Sequence, residues 1–208
     1  MMRLVTIFAA TMLLSSCASW NTLNTEDVLA DARARSAQSS QANVLANWQE
    51  ETFGRLANFP GQTFRGDPMK ADGTPNAEAP ADIQDWSWSA DGRQIIIKHA
   101  LEDGSYGGVT HVYPNGTENA LGYTYVTNAG FETVGTFTLD EDGGWEAIET
   151  VNGHATITRV RSRGYVREDG ALVSEADYLS GGRWTPGHGF VYTEFDGEVP
   201  ELETSSGE

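Results

Sequence analysis

The chain of 208 residues contains a single cysteine, Cys17, so it can form neither an internal disulfide nor a thiolate metal site. Basic residues are scarce: 13 Lys and Arg stand against 30 Asp and Glu, a formal net charge of −17. A surface of that sign repels nucleic-acid phosphates and anionic headgroups, and no nucleic-acid partner is expected. Long apolar runs are missing too. The longest, Leu4 to Leu14, covers about a dozen residues, where a bilayer-spanning helix needs about 20. The four histidines, His99, His111, His154 and His188, show none of the close spacings of a zinc or copper site. Gly-x-Ser-x-Gly and the glycine loop of nucleotide binders are absent. No metal, cofactor or catalytic residue is therefore expected, and an enzyme of unknown class is kept only as a third function class.

What is present begins with a positive start, Met1-Met2-Arg3, the apolar run, and Ser15-Ser16-Cys17, the order of a secretion signal. Leu14-Ser15-Ser16-Cys17 resembles the lipobox of bacterial lipoproteins, in which a branched apolar residue and two small residues precede a cysteine that receives lipid through its sulfur. The resemblance implies that residues 1–16 are removed and that Cys17 becomes a lipidated N-terminus anchoring the chain to a membrane. Ala18 follows where an Asp would favour inner-membrane retention, which implies the outer membrane, facing the periplasm. Removing 16 of 208 residues leaves 192, with 12 basic and 30 acidic side chains, a net of −18.

Residues 17–43 are rich in Ala, Ser, Asn, Gln, Asp and Thr and bury too little to fold alone, which is the composition of a polar tether. A helix from Thr25 to Arg35 fits within it, with Glu26 and Asp27 near its N-terminus. From Val44 to Leu56 the large side chains Leu45, Trp48, Phe53 and Leu56 recur at helical spacing, so one stripe should pack on a domain extending over 44–198. Residues 199–208 read as an acidic tail.

Between Gln62 and Phe195 the pattern becomes alternation and turns. Candidate strands are Gln62–Arg65, Gln84–Ser89, Arg93–Leu101, Val109–Tyr113, Ala120–Thr127, Phe131–Asp140, Trp145–Val151, His154–Arg163, Ala171–Ser180 and Phe190–Phe195. Asp91-Gly92, Asp103-Gly104, Asn115-Gly116, Asp142-Gly143, Asn152-Gly153 and Asp169-Gly170 separate most of them and supply the positive backbone angles of hairpin turns. Asp67 to Asp82 has no strand pattern and reads as a loop at a mouth or lid. So many sequential antiparallel strands leave open edges unless the sheet closes. The expected fold is mainly β, an up-and-down barrel of about 8–10 strands with an N-terminal helix; a two-sheet sandwich is the alternative. The helix and meander resemble calycin (lipocalin-like) barrels, and His99-Ala100-Leu101-Glu102-Asp103-Gly104-Ser105-Tyr106-Gly107-Gly108, Thr127-Asn128-Ala129-Gly130-Phe131 and Trp184-Thr185-Pro186-Gly187 are similar to segments of uncharacterised bacterial barrel proteins, a resemblance covering about residues 53–196. That resemblance implies a barrel whose family members include small-ligand binders, haem binders and proteins of no known role.

Candidate binding residues follow from strand faces. If Asp103-Gly104 is a two-residue turn, His99 falls opposite Gly108, shares a face with Ile95, Ile97 and Leu101, and points inward, either as a hydrogen-bonded core residue or toward a ligand. Trp86 and Trp88 share one strand face, as do Tyr123 and Tyr125, as core or as the wall of a cavity. Arg159, Arg161 and Arg163 alternate along one strand, either as an outer row balanced by carboxylates or as an anion-recognising row at the mouth or interior. If Asn152-Gly153 is a two-residue turn, Arg159 faces Glu146 and Ile157 faces Ile148. Two readings lead: a barrel binding a small amphipathic or anionic ligand, and a filled barrel engaging an envelope protein through its outer face. A cavity of roughly 300 Å³ or more favours the first, a packed interior with an exposed apolar patch the second.

Overall fold

The computed structural model describes residues 25–116, 120–140 and 144–202. The lipobox with Cys17, the Asp142-Gly143 turn and most of the acidic tail lie outside the described residues. Two compact units divide between Ala42 and Asn43. A single helix, α1, spans Thr25–Phe53, so the two helical segments expected from sequence are one. Its sequence from Glu26 to Phe53 has no Gly or Pro to break it and is dominated by Ala, Gln, Glu and other good helix formers. In the first unit its described side chains are exposed throughout, as their polar character requires. Gly54, at φ +54°, ends the helix in the left-handed conformation that glycine adopts most readily, and a 3-10 turn over Gly54–Asn58 follows.

In the second unit ten strands form a closed antiparallel barrel in up-and-down order: β1 Gln62–Met69, β2 Asp82–Trp88, β3 Ile95–Leu101, β4 Gly107–Pro114, β5 Leu121–Thr127, β6 Glu132–Leu139, β7 Trp145–Asn152, β8 Ile157–Val166, β9 Leu172–Ser180 and β10 Arg183–Glu194. Closure comes from β1, which pairs with both β2 and β10. β9 and β10 are joined across Gly181-Gly182, at φ +57° and +77°, with Ser180 opposite Arg183. Positive φ at both central residues is what a tight hairpin turn of matching twist demands.

Among the strands, three differences from the sequence expectation change the barrel most. β10 begins at Arg183 rather than Phe190, because a bulge between Pro186 and Gly189 lets the strand carry a proline and two glycines without ending. β1 runs on to Met69, which bridges to Pro75, so the irregular loop is shorter than Asp67–Asp82. Between β7 and β8 the loop is longer than two residues. His154 accepts hydrogen bonds from the backbone N–H groups of Thr156 and Ile157 at 3.2 and 3.0 Å, and Glu146 therefore faces Arg163 while Thr150 faces Arg159. That is a four-residue offset, and an even offset leaves every side chain on its expected face.

One end of the barrel is filled. Phe53, Leu56 and Phe64, all nearly solvent-free, pack with Ile95, Val112, Leu121 and Trp145, and Phe59 meets Phe64 and Trp86 edge-to-face at 5.4 and 5.2 Å. Trp48 is only partly buried, lying edge-on to Phe53 with Arg93 over its ring, so Phe53 is the deeper anchor of the stripe. Inward glycines make room for inward rings: Gly66 lies opposite Tyr192 and Gly164 opposite Trp145, each with the ring over the missing side chain.

Candidate functional site

Strand parity sends Trp86, His99, Tyr123 and Tyr125 into the lumen, where a cavity of about 370 Å³ opens between them. Its floor is the aromatic plug, represented by Trp86, Phe137 and Trp145; its far rim includes Tyr106 and, from the loop before β2, Ala79 and Pro80. Phe137 and Trp145 stack with ring centroids 5.8 Å apart, and Tyr123 leans on Phe137 at 5.9 Å. Trp88 shares the inward face of β2 but sits lower, against Phe53 at 5.4 Å, and belongs to the plug rather than the cavity wall.

Two hydrogen-bond networks set the polarity of this lumen. In the first, the Asp82 carboxylate accepts from Tyr192 at 2.7 Å, from Gln84 Nε2 at 2.9 Å and from His99 Nδ1 at 2.8 Å. Trp86 Nε1 donates to Gln84 Oε1 at 3.0 Å, and Gln84 Nε2 also reaches the Tyr192 hydroxyl at 2.8 Å. Because a carboxylate accepts, Nδ1 of His99 carries a proton in this pair. In the second network, Glu149 accepts from Tyr123 at 2.8 Å and from Ser162. Tyr123 also meets Thr133 at 2.9 Å. Burial raises the phenol pKa values of Tyr123 and Tyr192 well above the ordinary value, and the neighbouring carboxylates push the same way, so both remain donors.

A third polar group lies at the β10 bulge, where His188 points into the lumen and pairs through Nδ1 with the Tyr178 hydroxyl. His188 remains solvent-accessible, and desolvation by the surrounding protein lowers its pKa below the usual imidazole value. Burial likewise pushes the Tyr178 phenol up to about 12. Tyr125 donates to Tyr106 at 2.8 Å and its ring stands 5.0 Å from His99, closing the rim side.

The arginine row is a correction. β8 turns Val160, Ser162 and Gly164 inward, which leaves Arg159, Arg161 and Arg163 on the outer face and exposed. Arg161 pairs with Asp177 at 2.6 Å and lies over Trp184; Arg163 pairs with Glu175 at 2.8 Å. Asp177 and Glu175 alternate along β9 opposite Arg161 and Arg163, while Arg159 lies opposite Leu179, and the row does not reach the lumen. Among the described residues no Lys or Arg lines the cavity, and no group of three or more His, Cys, Asp or Glu is placed to hold a metal ion.

Asp82, Glu149, Ser162 and His188 were not singled out by sequence reasoning. Glu149 had a signal: it continues the inward stripe of Trp145, Ala147 and Val151 at two-residue spacing. Asp82 sits at the irregular start of β2, and His188 within a Pro-Gly-His-Gly segment that reads as loop, so neither stood in a recognisable strand pattern. No family model and no curated protein matches the chain.

Proposed function

We propose that this protein is a small-molecule-binding barrel of lipocalin-like type, held at a membrane surface by lipid on Cys17. The observation that carries the reading is the lumen itself. A cavity of about 370 Å³ has aromatic walls and a few fixed polar groups, the usual make-up of a small-ligand site, and a filled structural barrel has no such space. Its polar edges are two imidazoles that line the cavity, His99 held through Nδ1 by Asp82 and His188 paired through Nδ1 with Tyr178. A molecule with an apolar ring body and one group able to donate and accept fits that pair. The anchor is supported by Leu14-Ser15-Ser16-Cys17 and by Ala18, which together favour an outer-membrane lipoprotein facing the periplasm.

Isothermal titration of delipidated protein with 2-naphthylmethanol tests the binding. Saturable one-to-one binding is expected, weakened at least tenfold by Thr110→Trp, which fills the middle of the lumen between Ile97 and Tyr125. Circular dichroism must show Thr110→Trp folded. No saturable binding to the wild type, or equal binding by both folded proteins, would instead favour a barrel that acts through its outer face.

A further inference from the structure

We infer that the lumen selects a cation, specifically a small aromatic or apolar molecule bearing a protonated amine. This rests on the ligand-binding reading above and adds the sign of the ligand's charge. Asp82 and Glu149 both line the cavity and are each only 3% exposed. A carboxylate taken out of water is strongly disfavoured without a compensating positive group, and hydroxyl donors alone return only part of that loss. Asp82 has the imidazole of His99 on one oxygen, a partner that can carry positive charge. Glu149 has only the hydroxyls of Tyr123 and Ser162. The strand that gives Ser162 to Glu149 turns its arginines outward, where Arg161 and Arg163 are already matched by Asp177 and Glu175.

A bound ammonium group supplies the missing counter-charge. The surrounding rings favour it further: Tyr123, Tyr125, Phe137 and Trp145 line the same lumen, and aromatic faces attract cations most strongly where water is excluded. The formal net charge of −17 also raises the local concentration of cations around the protein. An anion meets the opposite situation, two carboxylates and no lining Lys or Arg among the described residues.

Three ligands of one shape and different charge decide the matter at pH 7: 2-naphthylmethylamine as its ammonium ion, 2-naphthylmethanol and 2-naphthoate, titrated into the full-length delipidated protein. The amine should bind at least tenfold more tightly than the alcohol, and naphthoate most weakly. Glu149→Gln should lower the amine's affinity at least tenfold, while Arg161→Ala on the outer face should leave the ranking unchanged. Should Glu149→Gln fail to fold, the wild-type ranking decides alone. An alcohol that binds as tightly as the amine, or a naphthoate that binds best, overturns the charge selection while the ligand-binding reading stands. A folded Glu149→Gln that keeps the full amine affinity also overturns it. Binding of none of the three removes both.

Discussion

Gly66→Ala should be destabilising in the native barrel and stabilising once one ring is removed. Gly66 faces inward from β1, directly opposite Tyr192 of β10. A Cβ at position 66 would stand 2.4, 2.7 and 2.9 Å from three carbons of the Tyr192 ring, well inside van der Waals contact. The ring cannot swing aside cheaply, because it is 4% exposed and its hydroxyl is held by Asp82 and Gln84. Overpacking of this kind costs about 1–3 kcal/mol. At about 2–4 °C per kcal/mol in a domain of this size, the midpoint should fall by roughly 2–12 °C. In a Tyr192→Ala background the obstruction is gone. Gly66 does not have positive φ, so an alanine there should now stabilise by about 0.4–1 kcal/mol through its stiffer unfolded chain. Urea denaturation of the four proteins measures the cycle. The same sign and size of effect in both backgrounds would refute the idea that glycine at 66 exists to seat the ring.

Other consequences are simpler. Phe53→Ala should cost about 3–5 kcal/mol, since the ring is fully buried in the plug, whereas deletion of residues 26–40 should move the midpoint by only a few degrees; equal thermal effects would contradict the assignment. His188 should make stability fall with acid. Its folded pKa lies below the unfolded value of 6.5, so between the two the unfolded chain binds more protons; the contribution is complete above about 6.5 and is lost as pH drops through the folded value. Desolvation dominates, with Asp82 acting against it and His99 reinforcing it. Thermal melts of wild type and His188→Gln at pH 7 and pH 5 check this, and a wild type that loses no more stability than the variant counts against it. Cys17→Ala should abolish detergent-phase partitioning of the expressed protein, because no other thiol can take the lipid; unchanged partitioning would dismiss the anchor.

Much of the barrel could be read in advance because period-2 alternation and Asp-Gly or Asn-Gly turns are local signals. His99 falls opposite Gly108 as expected, and Trp86, Tyr123 and Tyr125 line the lumen from the faces that alternation assigned them. Alternation cannot say which face of a strand is the inside. The arginines of β8 needed their partners on β9 to be placed, and Glu175 and Asp177 carry the matching spacing. His188 was hidden for a different reason: a bulge that re-aims one side chain has no periodicity of its own, and Pro186 and Gly187 imitate a loop. Buried carboxylates escape notice because acidic residues in an acidic chain are read as solvated unless strand register is already known. Asp82 and Glu149 share one lumen only because closure puts β2 and β7 around it.

The central claim, that the lumen receives a small molecule, is tested most directly by NMR of the tryptophan indole N–H groups during titration with 2-naphthylmethanol. Trp86 and Trp145 line the cavity, and Trp86 Nε1 is tied to the Gln84–Asp82 network; Trp184 lies outside against Arg161, and Trp48 packs beside Arg93. Saturable shifts of the Trp86 and Trp145 signals, with those of Trp48 and Trp184 unmoved, are the predicted result. Shifts confined to Trp184 or Trp48, or no saturable shift at Trp86 and Trp145, would contradict it.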